Sequence, residues 1–321
     1  MSKLIYLIGI PGSGKSIHAK EIAKKERAII LSTDELRGEF LFDQSRQKKT
    51  GLIFSILYKR AEMLLSEGKN VIIDATNIER ARRMKALKKL SASATQKECY
   101  YFSTPYEVCL ERNKSRKRKV QEFIMRRMQK NLDFPMLKEG WDEVHIVHEE
   151  NSYDITKEEF ISLLSNEVSY EELFSKLKHI PVFGDMYEFN QENPYHSMTL
   201  CQHTYGVLEY VNEYYQEEDK LIMQIAALFH DTGKPATKTF KKTKGHYSYF
   251  GHERVSAQLA CHFLTELGFE EEFVTQVVNL VEMHMKITYG GDEGATEIYH
   301  LLGDEMLWKL YFFSEADRFA K

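Results

Sequence analysis

Short apolar runs alternate with longer amphipathic stretches along the first 148 residues. The apolar runs are bounded like buried parallel strands, and they lie at Leu4–Ile8, Ala28–Leu31, Val71–Asp74, Cys99–Phe102 and Val144–Val147. Helical periodicity fills the intervals, at Lys15–Lys25, Gly51–Ser66, Arg80–Leu90 and Tyr106–Asn113. This order predicts an α/β fold, with a parallel sheet flanked by helices.

The pattern changes near residue 149, where an acidic stretch begins and the strand signals fade. Amphipathic helices are predicted at Thr156–Asn166 and Tyr170–Lys178, and an irregular aromatic connection from Pro181 to Pro194. The rest of the chain has a helical pattern. We predict an α/β domain, a helical connector and an all-α domain, over residues 1–150, 151–180 and 181–321.

Composition favours a globular protein outside the membrane. The 321 residues are 43% hydrophobic and 29% charged, and no apolar run approaches the roughly 18 residues of a membrane span. The apolar stretch before the first glycines is typical of a buried strand and not of a signal peptide. The four cysteines stand singly, as expected for reduced thiols, at Cys99, Cys109, Cys201 and Cys261. A cytoplasmic location follows as the expectation.

The net charge of −4 conceals a strong asymmetry between the halves. Residues 1–150 contain 30 Lys+Arg and 20 Asp+Glu, and the remainder contains 14 and 28. A basic half suits a polyanionic partner. The alternative is that the excess only solvates helix surfaces.

A glycine-rich loop follows the first predicted strand. Residues 9–16 have the sequence GIPGSGKS and match GxxxxGK[ST] in full, between a strand and a helix. In this pattern backbone N–H groups hold phosphate oxygens, the lysine contacts the β- and γ-phosphates, and the serine binds Mg²⁺. We predict a site for ATP or another nucleoside triphosphate with Mg²⁺, formed by Gly9, Gly12, Ser13, Gly14, Lys15 and Ser16.

Two carboxylates follow predicted strands, at the sheet edge where open α/β folds bind ligands. Asp34 follows the second strand and is a candidate general base for an attacking hydroxyl; a helix N-cap is the alternative. Asp74 ends the third strand and suits Mg²⁺ binding or acceptor orientation. Residues 112–119 form a basic segment that is a candidate lid over donor phosphates, or else a solvated loop or a nucleic-acid patch.

Taken together, these motifs resemble the 5′-OH polynucleotide kinase family over roughly residues 1–148. The resemblance rests on the glycine-rich loop, on Asp34 with Arg37, on residues 73–77 (IDATN) and on the basic segment. It implies that Asp34 activates the 5′-hydroxyl and that Arg37 holds the phosphate on the acceptor's 3′ side.

The same resemblance implies that Arg116 contacts the donor phosphates, with Arg112 and Lys15 nearby. Thr33 departs from the family, whose members often carry arginine there. Kinases of small metabolites and zeta-toxin-like kinases share the loop and the carboxylate after the second strand, so they remain alternatives.

The second half carries histidines and aspartates at long spacing, at His203, His230, Asp231, His252, His284 and Asp317. They are too far apart to meet on one helix, and they converge only where several helices do. Imidazole and carboxylate ligands without thiolate favour Mn²⁺, Fe²⁺, Co²⁺, Ni²⁺ or Zn²⁺. Any single histidine is more often a core or surface residue than a metal ligand, but the coincidence of several such positions favours a metal site.

This spacing, with its adjacent His230-Asp231, resembles the HD superfamily of phosphohydrolases over about residues 180–321. Residues 193–204 (NPYHSMTLCQHT) and 226–235 (AALFHDTGKP) are similar to the HD modules of CCA-adding enzymes. The resemblance implies an all-helical fold, with one metal ion held by His203, His230, Asp231 and Asp317. Asp231 would bridge to a second ion held by His252 and His284, and Lys234 and His196 are candidate phosphate contacts.

Together the halves predict an enzyme that heals nucleic-acid ends. The kinase would phosphorylate 5′-OH ends of RNA or DNA, and the HD half would remove a 2′,3′-cyclic or terminal phosphate, so that a ligase can act. Asp231 and Lys234 would be the catalytic residues of the HD half. The alternatives are a small-metabolite or nucleoside kinase fused to an HD nucleotidase, and a non-catalytic nucleotide-sensing module.

Overall fold

The structure is a computed structural model that describes residues 2–41, 50–116, 118–150, 153–192 and 198–320. It divides into two compact units, residues 1–149 and residues 150–321. In the described part of the chain, no helix is both long and apolar enough to cross a bilayer.

A five-stranded parallel sheet forms the centre of the first unit, in the order β2-β3-β1-β4-β5. Its strands are β1 (Lys3–Ile8), β2 (Ala28–Ser32), β3 (Asn70–Asp74), β4 (Gln96–Phe102) and β5 (Glu143–Val147). The flanking helices are α1 (Lys15–Glu26), α2 (Thr33–Leu41), α3 (Thr50–Ser66), α4 (Arg80–Leu90), α5 (Tyr106–Ser115) and α6 (Glu122–Gln129). The prediction of a parallel sheet flanked by helices is confirmed.

The central strand β1 and its neighbour β3 are buried on both faces of the sheet. Residues 4–8 of β1 have no exposed surface, and neither do residues 71–73 of the adjacent β3. Such continuous apolar runs need helices on both sides of the sheet. The carboxyl ends of β1, β2 and β3 therefore lie side by side at one edge, where the glycine-rich loop, Asp34 and Asp74 follow them.

The second unit is helical, which confirms the predicted fold class. Its helices are α7 (Lys157–Ser162), α8 (Tyr170–Leu177), α9 (Pro181–Gly184), α10 (Leu200–Tyr214), α11 (Lys220–Phe229), α12 (Lys234–Thr237), α13 (His252–Glu266), α14 (Glu271–Leu302) and α15 (Asp304–Phe319). A two-stranded antiparallel hairpin, β6 (Thr239–Lys241) and β7 (His246–Ser248), is an addition that the sequence pattern did not indicate.

Helix α11 runs through the core of this unit. Residues 225–229 have no exposed surface, and Phe229 packs against Phe183 and Phe263 with ring centroids 5.1 and 5.5 Å away. The helices of the predicted connector pack in the same unit, since Phe160 of α7 lies 5.0 Å from Phe263. The end of α11 is thereby fixed at the centre of the unit, which decides where the residues after it lie.

Candidate active sites

The glycine-rich loop connects β1 to α1 and has a backbone that only glycine adopts easily. Gly12 has φ +91°, and a Cβ there would lie 2.3 Å from the backbone oxygen of Cys109. Gly14 has φ +88° and precedes α1, whose N-terminus has no side-chain cap. The first N–H groups of α1 are therefore oriented toward the loop, as an anion-binding site requires.

Lys15 and Ser16 extend this site from the first turn of α1. The Lys15 ammonium donates to the Ile10 carbonyl at 2.7 Å and to Ser13 Oγ at 3.1 Å. Burial lowers the pKa of Lys15 to about 8, although Asp74 acts in the opposite direction. The Ser16 hydroxyl donates to Asp74 Oδ2 at 2.9 Å, so these two oxygens lie together as Mg²⁺ ligands would.

Asp34 lies in the first turn of α2, directly after β2. Since α2 begins at Thr33, Asp34 is inside the helix and is not its N-cap. Its Oδ1 atom accepts from Arg37 at 3.0 Å and also from Arg118. Arg37 is buried, and its Nε atom has no hydrogen-bond partner. Two guanidinium groups therefore contact one oxygen of this carboxylate, and Arg37 keeps an unused donor.

The arginines of the basic segment, residues 112–119, lie near different partners. Arg116 lies close enough to Lys15 for its charge to contribute to the lowered pKa of that lysine. Arg112 donates to Glu149 at 2.6 Å, and the Glu149 carboxylate lies 3.6 Å from where a Cβ on Gly14 would be. Sequence reasoning did not single out Arg118, although it belongs to the same segment. Lys117 of that segment lies outside the described residues.

Two arginines at the start of α4 are structural. Arg83 is 1% exposed; its Nη2 atom lies 2.6 Å from Glu139 Oε1, and its Nη1 atom donates to the Asn77 and Ile78 carbonyls. Arg80 also contacts Glu139, at 3.3 Å. Part of the basic excess of this half is thus used inside the protein and is not available to a polyanion.

Six residues from five helical segments converge in the second unit, and we call them the histidine–aspartate cluster. They are His203 of α10, His230 and Asp231 directly after α11, His252 at the start of α13, His284 of α14 and Asp317 of α15. The Nε2 atom of His203 lies 3.2 Å from that of His230 and 3.1 Å from Asp317 Oδ1. Asp231 Oδ2 lies 3.2 Å from His230 Nε2, and Asp231 Oδ1 lies 3.0 Å from His252 Nε2.

All four imidazoles are held in the same way, through Nδ1. This atom lies 2.7 to 3.0 Å from a backbone carbonyl oxygen in each ring, and the acceptors are Ala320, Ala227, Tyr249 and Val281. A carbonyl only accepts, so each Nδ1 carries a proton, and in the neutral form of each ring Nε2 is left with a lone pair. Histidines that bind metal ions are oriented by this type of contact.

The cluster fits one or two divalent metal ions. Lone pairs of Nε2 atoms face carboxylate oxygens, and the buried His252 Nε2 has no hydrogen-bond partner. Such acceptors at close range favour a cation between them. Asp231 belongs to two groups whose ligand atoms lie within 4.8 Å of one another, one with His203 and His230 and one with His252 and His284. Imidazole with carboxylate suits Mn²⁺, Fe²⁺, Co²⁺, Ni²⁺ or Zn²⁺.

The electrostatics of the cluster agree with this fit. Burial acts to lower the pKa of His203, but hydrogen bonds to Asp231 and Asp317 outweigh it and raise that pKa to about 9. Burial and the neighbouring His252 lower the pKa of His284 to about 3. Burial acts to raise the pKa of Asp231, yet Lys234 and His230 hold it well below its ordinary value. Burial acts to raise the pKa of Asp317 too, but the hydrogen bond from His203 and the charge of His230 hold it below its ordinary value. Both carboxylates thus stay ionised and attract positive charge.

Lys234 and Gln191 border the cluster. The Lys234 ammonium lies 2.6 Å from Asp231 Oδ2 and donates to Gln191 Oε1 at 2.7 Å. Gln191 has no exposed surface, and its Nε2 atom has no hydrogen-bond partner. Sequence reasoning missed Gln191, because a single glutamine distant in sequence carries no signature. The predicted phosphate contact His196 lies outside the described residues.

Two family matches cover most of the chain. Residues 4–135 match the family described as "AAA domain", and residues 200–320 match the family described as "HD domain". The N-terminal match includes the glycine-rich loop and the C-terminal match includes the whole histidine–aspartate cluster. The chain thus joins a P-loop kinase domain to an HD domain, as its sequence predicted.

Individual proteins are similar to parts of the chain. The HD domain is similar to a CC-adding tRNA nucleotidyltransferase of Thermus thermophilus, 32% identical over 39% of this chain and 28% of that protein. An L-seryl-tRNA(Sec) kinase of Methanococcus maripaludis is 30% identical over 43% of this chain and 56% of its own length. The chain therefore spans less than two thirds of either relative. A solved structure described as a Pnkp1/Rnl/Hen1 complex matches 38% of this chain and 41% of its own chain, at 27% identity and TM-score 0.33.

Proposed function

We propose, for a chain that joins a P-loop kinase domain to an HD domain, that the two sites heal the ends of broken nucleic acids. The first site phosphorylates 5′-OH ends of RNA or DNA with ATP. The second site removes a 2′,3′-cyclic or terminal 2′/3′ phosphate. The products, a 5′-phosphate and a free 3′-OH, are the ends that a ligase joins, so a ligase is the proposed functional partner.

In the kinase site the chain's residues bind the triphosphate and prepare the acceptor. Lys15 and the N-terminus of α1 hold phosphate oxygens, and Ser16 with Asp74 would hold Mg²⁺, which neutralises charge on the transferring group. Asp34 takes the proton of the attacking hydroxyl, and Arg37 holds the neighbouring phosphate through its unused Nε donor. Arg116 contacts the donor phosphates.

The position of Asp34 is the observation that carries the polynucleotide assignment. Its Oδ1 atom contacts both Arg37 and Arg118, so a hydroxyl bound at this carboxylate has two positive charges nearby. A nucleotide at a 5′ end has its hydroxyl close to a phosphodiester, and this geometry suits that anion. The names of the two curated relatives, a tRNA nucleotidyltransferase and a tRNA-linked kinase, also support an RNA substrate.

In the HD site the cluster would hold one or two divalent ions, which polarise a phosphoester and lower the pKa of bound water. His203, His230, Asp231 and Asp317 would ligate one ion, and Asp231, His252 and His284 the other. Lys234 orients Asp231 and offers its positive charge to the phosphate. We place both reactions in the cytoplasm, which the four buried cysteine thiols support.

The test is a comparison of acceptors for ATP-dependent phosphorylation. Single-stranded RNA and DNA with 5′-OH ends should be phosphorylated, and unlabelled oligonucleotide should compete with the labelled substrate. Affinity for the polymer should fall steeply with salt, because bound phosphates release counterions. Transfer only to nucleosides or small metabolites, without competition by oligonucleotide, would reject the proposal.

A further inference from the structure

The segment from Lys234 to Phe250 is a basic island in the acidic half of the chain. Residues 232–252 contain five lysines and neither aspartate nor glutamate, whereas residues 151–321 contain 28 acidic and 14 basic residues. Lys241, Lys242 and Lys244 are exposed, at β6 and the turn that follows it. No ion pair of these three lysines occurs within the described part of the chain, so their charge is available to a partner.

Aromatic rings accompany these lysines at the surface. Phe240 and Phe250 are 51% and 71% exposed, and Phe240 lies 5.3 Å from the ring of Tyr247 across the hairpin. The Lys238 ammonium also lies over the Tyr247 ring, 4.5 Å from its centroid. Exposed rings interleaved with lysines are the combination by which proteins bind single-stranded nucleic acid, since bases stack on rings and phosphates meet ammonium groups.

Both ends of this segment are attached to the histidine–aspartate cluster. At its start, Lys234 contacts Asp231 at 2.6 Å. At its end, the Tyr249 carbonyl accepts from Nδ1 of His252, a cluster member, at 2.8 Å. The base of the hairpin therefore lies beside the cluster. A single-stranded nucleic acid bound along the hairpin could reach the cluster with its end.

We propose that the β6–β7 hairpin with Phe250 binds the single strand that leads to the phosphate removed at the HD site. The inference rests on the proposed function and specifies how its second site distinguishes a polymer end from a free nucleotide. Lys241, Lys242 and Lys244 contact backbone phosphates, and Phe240 and Phe250 stack on bases.

The first test uses the full chain with alanine at Lys241 and Lys242. Its substrates are a single-stranded RNA ending in a 2′,3′-cyclic phosphate and the nucleoside 2′,3′-cyclic monophosphate. The ratio of kcat/KM for RNA to that for the mononucleotide should fall by about tenfold, mainly through KM. The slope of log affinity against log salt should also flatten, by about 0.7 for each lost phosphate contact. The matched control is Lys157→Ala with Lys176→Ala, on α7 and α8, which should leave both quantities at wild-type values.

The second test separates stacking from folding at Phe240. Phe240→Leu keeps an apolar side chain but removes the ring, so KM for RNA should rise by about fivefold or more, whereas Phe240→Trp should restore it. Tyr299→Leu, an exposed ring on α14, is the control. If the hairpin variants prefer RNA over the mononucleotide as strongly as the wild-type protein does, the inference is overturned. The proposal of end healing would be unaffected by that result. If the wild-type protein has no preference for RNA over the mononucleotide, both the inference and the polymer assignment of this site fail.

Discussion

Asp231 joins the two groups of candidate metal ligands in the proposed second site. Its Oδ1 atom faces His252 and its Oδ2 atom faces His230 and Lys234, so both carboxylate oxygens are used. No other described residue belongs to both groups of ligand atoms that Asp231 joins. Loss of this side chain would therefore remove a proposed ligand from both groups at once.

Replacing Asp231 with alanine should remove bound metal and phosphoesterase activity while ATP-dependent transfer is retained. The reason is that four imidazoles with Asp317 as the one remaining carboxylate would carry less negative charge with which to hold divalent cations. Elemental analysis of the purified protein measures the metal directly. Asp185→Ala, at an exposed aspartate of the same unit, is the control and should keep its metal. Stoichiometric metal and full activity in the Asp231 variant would refute the assignment.

Replacing Asp34 with asparagine should lower kinase turnover by about 100-fold or more, because the amide does not accept the hydroxyl proton. Nucleotide affinity should stay near wild type, since the triphosphate is held by other residues. Turnover is measured with a 5′-OH oligonucleotide and affinity by calorimetry. Glu35→Gln, at the exposed neighbouring carboxylate, should have little effect. Retained transfer in Asp34→Asn would exclude this residue as the base.

Lys15 makes nucleotide affinity dependent on pH. Burial lowers its pKa to about 8 in the free protein, and a bound triphosphate favours the charged ammonium. Below pH 8 the lysine is already protonated, so affinity should be constant there. Above pH 8 binding must take up a proton, so affinity should fall by up to about tenfold per pH unit. Calorimetry in buffers of different ionisation enthalpy measures that uptake; affinity that is flat to pH 9.5 would contradict the assigned role.

At the scale of elements, the strands and helices that have a clear local pattern of apolar residues were predicted correctly from the sequence. The predicted helix Arg80–Leu90 coincides with α4, and each predicted strand of the sheet lies within its observed strand. The hairpin was missed because its strands are three residues each, too short for an alternating pattern to register. Helix α7 ends at Ser162 and not at Asn166, where the amphipathic pattern had extended it.

The contacts within the two sites were only partly predictable, because many of them join residues that are far apart in the sequence. Residue types and spacing indicated the cluster, because histidine and aspartate are chemically distinctive. The contact of Arg118 with Asp34 joins residues 84 positions apart, and that of Lys234 with Gln191 joins residues 43 apart. One sequence contains no signal for such pairs.

Helix α4 should owe its position to a buried ion pair. Arg83→Leu should lower the free energy of unfolding of the first unit by about 3–5 kcal/mol, because Glu139 would lose its closest cationic partner while buried. Urea unfolding followed by Trp141 fluorescence, in a Trp308→Phe background, reports on this unit alone. Arg82→Leu is the control, since the Arg82 side chain is 69% exposed. Equal effects of the two substitutions would argue against a structural role for Arg83.

At the scale of the whole molecule, chemistry and charge are divided between the two units. The phosphate loop and most basic residues belong to the first, and the cluster belongs to the second, whose one basic island is the hairpin segment. Each candidate site is built from residues of one unit. The two activities should therefore be separable by single substitutions, one in each unit.

The most direct measurement follows both ends of one RNA molecule. An RNA with a 5′-OH and a 2′,3′-cyclic phosphate is incubated with the protein, ATP and Mg²⁺ or Mn²⁺. The product is then cut by a nuclease, and the fragments that carry the 5′ end and the 3′ end are weighed separately by mass spectrometry. The wild-type protein should produce a 5′-phosphate and a 3′ end without phosphate, Asp34→Asn should change only the 3′ end, and Asp231→Ala only the 5′ end. An RNA left unchanged at both ends, while ATP phosphorylates a small acceptor in the same assay, would contradict end healing.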